Sequence, residues 1–259
     1  MDIDDFLSIV ERWAHVDRTT AENATRATLE TLDERLTPAR AKSVATWLPP
    51  EFLGSFHTTT DPEPLDVDEF LRRVAARENV DLWTAEEHTR AVFVALHKAL
   101  PPDQLKLLAA ELPEDLRTYL DNAPVMRADE FINRVARRTG EDLEGAARAT
   151  VAVLETLAER IAGGDVHDLI SRLPVQLHGP LKRGEAATGD MAKRMSLDDF
   201  VQRVAEREGV TPDQAREHIR AVLATLHDAV DDEYFDVRVQ LPLSYASVLP
   251  GPEASARRA

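Results

Sequence analysis

An acidic residue followed by phenylalanine opens four similar stretches of the 259 residues, at Phe6, Phe70, Phe131 and Phe200. A Leu-Pro pair follows each, ending at Pro49, Pro113, Pro174 and Pro242, which is 43 residues later in three copies and 42 in the fourth. Self-similarity at a fixed period of this size means one supersecondary unit copied in tandem. The fold therefore has to be read as a repeat before any single residue is interpreted.

Each copy carries the signals of two helices joined by a tight turn. Val10, Val74, Val135 and Val204 lie four residues after the phenylalanines, so one face of the first helix is apolar. Asp2, Asp66 and Ser196 stand at N-cap positions, whereas Arg127 in the third copy is a weaker start. Nine residues after each phenylalanine come His15, Asn79, Gly140 and Gly209, residue types that tolerate the left-handed backbone at a helix end. Asp17, Asp81, Asp142 and Thr211 then cap a longer second helix. Its apolar stripe runs through Ala21, Leu29 and Leu32 and their equivalents, with Ile3, Phe6 and Val10 completing the expected core. A third helix stops at the Leu-Pro pair, because proline removes a donor and restricts the residue before it. In copy four the aromatic and β-branched "DDEYFDVRVQLP" gives a third helix poor support.

The copies alternate. Copies one and three share "LETLDERL" and "LETLAERI", while copies two and four share "EEHTRAVFVALHKAL" and "REHIRAVLATLHDAV". The last event was thus the duplication of a pair. The expected architecture is all-α, with four homologous three-helix units forming two helical-bundle domains. The first domain is 1–123, with units 1–57 and 66–123. The second is 124–251, with units 125–184 and 196–251, and a disordered tail spans 252–259. The boundary falls near Asn122–Val125, and the linkers "HTTTDPEPL" and "RGEAATGDMAKRM" should be exposed. The words "DEFLRRVAARENV", "HTRAVFVALHKAL" and "LAAELPEDLRTYL" and their copies make the chain resemble domain-of-unknown-function family 2267 over about two family domains. That resemblance implies an all-helical fold and carries with it no activity, cofactor or catalytic residue.

The repeated histidines are the obvious candidates for chemistry. His88 and His97 are nine residues apart on one helix, hence on opposite sides and about 13.5 Å apart along the axis, and the same holds for His218 and His227. They cannot share an ion. His88 and His218 align with Ala24 and Ala149, a position that borders packed surface, whereas His97 and His227 read as solvent-facing. A metal site would need the two domains to bring His88 and His218 together, with Glu87 and Glu217 supplying carboxylates. Arg26, Arg90 and Arg220 recur at one position and read as partners for acids within the chain. Trp47 is expected to pack under its turn, and Trp83 is the candidate exposed anchor for an interaction.

The remaining classes are narrowed by composition. A net charge of −16 removes the cationic attraction that nucleic-acid and anionic-membrane binding need. With no cysteine, thiolate chemistry and disulfides are excluded. The first residues lack a signal-peptide pattern, no run is apolar enough to span a bilayer, and the chain reads as cytoplasmic. No metalloprotease, phosphate-loop or nucleophile-elbow motif occurs. No catalytic or cofactor-binding residue is assigned, and no cofactor is expected. The leading reading is a non-catalytic helical interaction or regulatory module with a protein partner, self-association staying open. The alternative is a small-ligand or metal-binding protein, or an enzyme, with its site between the duplicated domains.

Overall fold

A computed structural model describes residues 1–57, 61–120, 126–188, 192–230 and 234–250, except for the side chains of Phe235 and Asp236. The expected domain boundary and the 252–259 tail lie outside the described residues. The chain divides into two compact units, Met1–Pro124 and Val125–Ala259. Among the described residues all regular structure is helical.

The first unit holds α1 (Ile3–Ala14), α2 (Arg18–Arg35), α3 (Pro38–Ala45) and a 3₁₀ turn at Pro50–Ser55. The second copy of the repeat follows as α4 (Val67–Glu78), α5 (Leu82–Ala99), α6 (Pro102–Ala109) and α7 (Glu114–Arg117). The second unit repeats this as α8 (Ala128–Thr139), α9 (Leu143–Arg160), α10 (Gly163–Arg172) and α11 (His178–Ala186), then α12 (Leu197–Glu208), α13 (Pro212–Val230), α14 (Tyr234–Gln240) and a 3₁₀ turn at Leu243–Ser247.

The boundaries follow from the caps. Asp2 and Asp66 accept the backbone N–H three residues on, and Ser196 forms a full capping box with Asp199. Arg127 makes no side-chain cap. All four turns between first and second helix are left-handed, with φ of 55° at His15, 56° at Asn79, 78° at Gly140 and 75° at Gly209. Past the first three turns Asp17, Asp81 and Asp142 cap the second helix, and past the fourth Thr211 Oγ1 accepts from the Gln214 N–H at 3.3 Å.

The two copies in a unit are interlocked rather than stacked. α1 packs on α5 more extensively than on α2, and α2 packs on α4. The second unit repeats the arrangement, α8 against α13 and α9 against α12. The four phenylalanines and four valines are fully buried, together with Ala21, Leu29, Leu32 and most of their equivalents. Each buried phenylalanine contributes about 1.5–3 kcal/mol of transfer free energy. Ile3 is only half-buried, at the open end of α1.

Two local expectations change. Copy four does form a third helix, α14, because Tyr234 and Val237 share one buried face and tertiary burial outweighs strand propensity. In copy three the closing turn grows into α11, which takes in the first residues of the expected exposed linker. Gly184 permits this: a β-carbon there would lie 2.2 Å from the Glu155 carbonyl oxygen of α9.

Candidate functional site

The most chemically distinctive arrangement is a buried histidine–glutamate pair, present once in each unit. Glu78 is the last residue of α4. The left-handed Asn79 and the Asp81 cap turn the chain directly into α5, where His88 sits two turns in. His88 Nδ1 lies 2.6 Å from Glu78 Oε2, and the two side chains are 4 % and 2 % exposed. In the second unit Glu208 ends α12, Gly209 turns, and His218 Nδ1 lies 2.6 Å from Glu208 Oε1 at nearly identical burial. The other carboxylate oxygen of each pair, Glu78 Oε1 and Glu208 Oε2, is buried with no hydrogen-bond partner among the described residues.

The pair is inherited as a pair. The registers of Glu78 and His88 hold Ala14 and Ala24 in copy one, and Thr139 and Ala149 in copy three. Neither partner occurs without the other, as expected when an unmatched buried charge is expensive. The second unit adds Glu141, whose Oε1 is 3.7 Å from His218 Nε2, whereas copy one has Val16 at that register. Burial pushes the Glu208 carboxyl above its ordinary value, against the opposing pull of His218. Glu141 pushes it further up, and Arg148 pulls it down.

Sequence reasoning located the histidines and missed their partners. The carboxylates against the rings are Glu78 and Glu208, ten residues back on the preceding helix, not the adjacent Glu87 and Glu217. Neighbours on a helix diverge by about 100°; Glu217 is exposed and pairs with Arg220. Among the described residues no three side chains of metal-binding type gather around one point. His97 is exposed with Nδ1 2.7 Å from the Leu120 carbonyl oxygen. His227 is half-buried, edge-on to Tyr234 at 4.9 Å between ring centroids, where solvent-facing had been expected.

A second recurring device was not anticipated at all. Arg73 and Arg77 on α4 reach across to α2, pairing with Glu34, while Arg77 Nη1 donates to Thr31 Oγ1 over 2.7 Å. Thr31 itself donates to the Ala27 carbonyl at 2.8 Å, which aims its lone pair at the guanidinium. Arg203 and Arg207 of α12 repeat the clamp on Thr156 and Glu159 of α9. Arg134 and Arg138 of α8 repeat it on Thr225 and Asp228 of α13. The signal was legible: arginine three and seven residues after the phenylalanine, with threonine and an acid three apart on the second helix of the sister copy.

The other recurring arginines are used internally. Arg90 stacks 3.9 Å over the Tyr119 ring and bonds Glu86 at 2.9 Å, while Tyr119 donates to the same carboxylate. Arg26 lies over Phe52, and Arg220 Nε donates to the Ser247 carbonyl. All three thus hold down the segment that closes their copy. The tryptophans correct the expected order of exposure. Trp83 is half-buried in the first turn of α5, whereas Trp47 is 44 % exposed instead of tucked under its turn, and Trp13 is 53 % exposed.

Interlocked half-repeats, duplicated once more in tandem, define the class as an internally duplicated all-α protein. The chain belongs to the family described as uncharacterized conserved protein (DUF2267), which matches twice, over residues 3–119 and 128–248. A comparison with curated proteins finds no match. Among the described residues no helix is long and apolar enough to cross a membrane.

Proposed function

We propose that the chain is a non-catalytic helical module of the cytoplasm that acts by binding a protein partner. The observation that carries this reading is where the polar and apolar groups go. Most of the recurring ionisable groups are engaged inside their own unit, in histidine–glutamate pairs, arginine clamps and arginines held against an aromatic ring or a backbone carbonyl. Large apolar side chains, Trp13 and Trp47 foremost, are left outside. Groups committed to structural partners are poor acids, bases or ligands, whereas exposed indoles are common anchors at interfaces.

The test is affinity purification of the full chain from its native host with mass spectrometry, run beside elemental analysis and thermal melts with and without chelator. A partner recovered in stoichiometric amount with an unchanged melt supports the reading. Bound stoichiometric metal, or a melting temperature lowered by chelator, overturns it in favour of a ligand-binding role.

A further inference from the structure

Three of the four contacts between a first helix and the sister copy's second helix are closed by an arginine clamp; the contact of α1 with α5 is not. At the registers of the two arginines α1 carries Ile9 and Trp13, and at those of the threonine and acid α5 carries Ala95 and Lys98. Both sides of the clamp have changed together. In place of a satisfied ion pair there is a half-buried isoleucine, an indole 53 % exposed, and an exposed lysine in the register of Glu34, Glu159 and Asp228. Arg12, next to the indole, is also exposed, and neither Arg12 nor Lys98 has an ion-pair partner among the described residues. On a chain with a net charge of −16, two cations without an ion-pair partner among the described residues thus stand at registers beside an exposed indole.

We propose that this face of the first unit, built by Ile9, Arg12 and Trp13 of α1 and Lys98 of α5, docks an acidic amphipathic helix of a partner protein. The proposal rests on the interaction-module reading and supplies its surface and partner chemistry. At the three sister contacts the same face is covered by guanidinium and carboxylate. Here the apolar surface of the indole calls for an apolar stripe, and the unmatched cations call for carboxylates beside that stripe. A second copy is the poorer occupant, because two chains of −16 repel each other at long range.

The probe is a labelled amphipathic peptide about 18 residues long, with leucines at helical spacing and glutamates elsewhere, paired with a lysine version of the same pattern. Anisotropy is read on the full chain and on two variants. One, Ile9→Arg/Trp13→Arg/Ala95→Thr/Lys98→Asp, installs the sister clamp; the other, Lys98→Asp, changes charge alone. The acidic peptide should bind the natural chain, more weakly as salt rises, and at least about tenfold more weakly to either variant while circular dichroism stays helical. Equal binding by the variants, equal binding of the lysine peptide, no peptide binding, or Trp13-dependent self-association in its place overturns the proposal. A native partner captured equally by the natural chain and the clamp variant would sink this surface yet leave the module reading standing.

Discussion

Removing the two members of the Glu78–His88 pair separately should have unequal costs, and removing them together should cost less than the sum. Their side chains are 2 % and 4 % exposed, so solvent screens the interaction little. His88→Ala strands a carboxylate whose Oε1 already lacks a partner, and breaking a buried pair in this way costs about 3–5 kcal/mol. Glu78→Ala removes the carboxylate itself and leaves the ring short of one buried hydrogen bond, a loss of about 1–3 kcal/mol. The double variant reproduces Ala14 and Ala24 of copy one. It should recover about 1–3 kcal/mol of coupling, the remainder reflecting the cavity. The assay is unusually direct, since Trp13, Trp47 and Trp83 all lie in the first unit and their fluorescence in urea reports that unit alone. With a slope of about 1–3 kcal/mol per M, the His88→Ala midpoint should fall by about 1–5 M. Additive single costs, or a larger cost for Glu78→Ala than for His88→Ala, would refute the reasoning.

Three further outcomes are expected. Gly184→Ala places a β-carbon 2.2 Å from the Glu155 carbonyl oxygen and 2.8 Å from Ala158 Cβ, so α11 must shift, and chemical denaturation should show a loss of about 1–3 kcal/mol. At the left-handed turns, His15→Gly and Asn79→Gly should each raise the melting temperature slightly and Gly209→Ala should lower it, because a side chain costs about 1–2 kcal/mol in that region. Burial holds Glu208 above its ordinary value of 4.5, so the folded state keeps that proton when the unfolded chain has released it. Stability drawn from Glu208 therefore falls as pH rises through 4.5 towards the raised value, and Glu208→Gln should gain on the natural chain across that window. A pH-independent difference in urea midpoint would contradict this.

What the sequence made legible was local. A cap or a left-handed terminator is a property of one residue and its immediate backbone, so Asp66, Ser196, Asn79 and Gly140 could each be read in isolation. The buried stripe of Phe70, Val74, Phe93 and Leu96 followed from helical periodicity alone. The pairings were harder. Glu78 meets His88 only because the turn at Asn79 brings the end of one helix beside the middle of the next, a geometry that residue spacing on a single helix does not express. The clamps cross between copies, 46 residues apart for Arg77 and Thr31, and required knowing that first helices pack on the sister copy. Trp47 and Trp83 were ranked by their place along the chain, whereas exposure depends on what packs above them.

That crossing pattern decides what the smallest folding unit is. If each half-repeat closed its own core, residues 1–57 would fold alone. Instead α1 finds its largest partner in α5, and α2 is clamped by Arg73 and Arg77 from α4, so an isolated half-repeat leaves both apolar stripes half-covered. A fragment of this length sits near the limit at which any core suffices. The expectation is that residues 1–57 stay largely unfolded by circular dichroism, that 1–124 folds with a single cooperative transition, and that mixing 1–57 with 58–124 restores helix in a concentration-dependent way. A cooperative transition in 1–57 alone would show that the half-repeat carries its own core and that the cross-copy contacts are secondary.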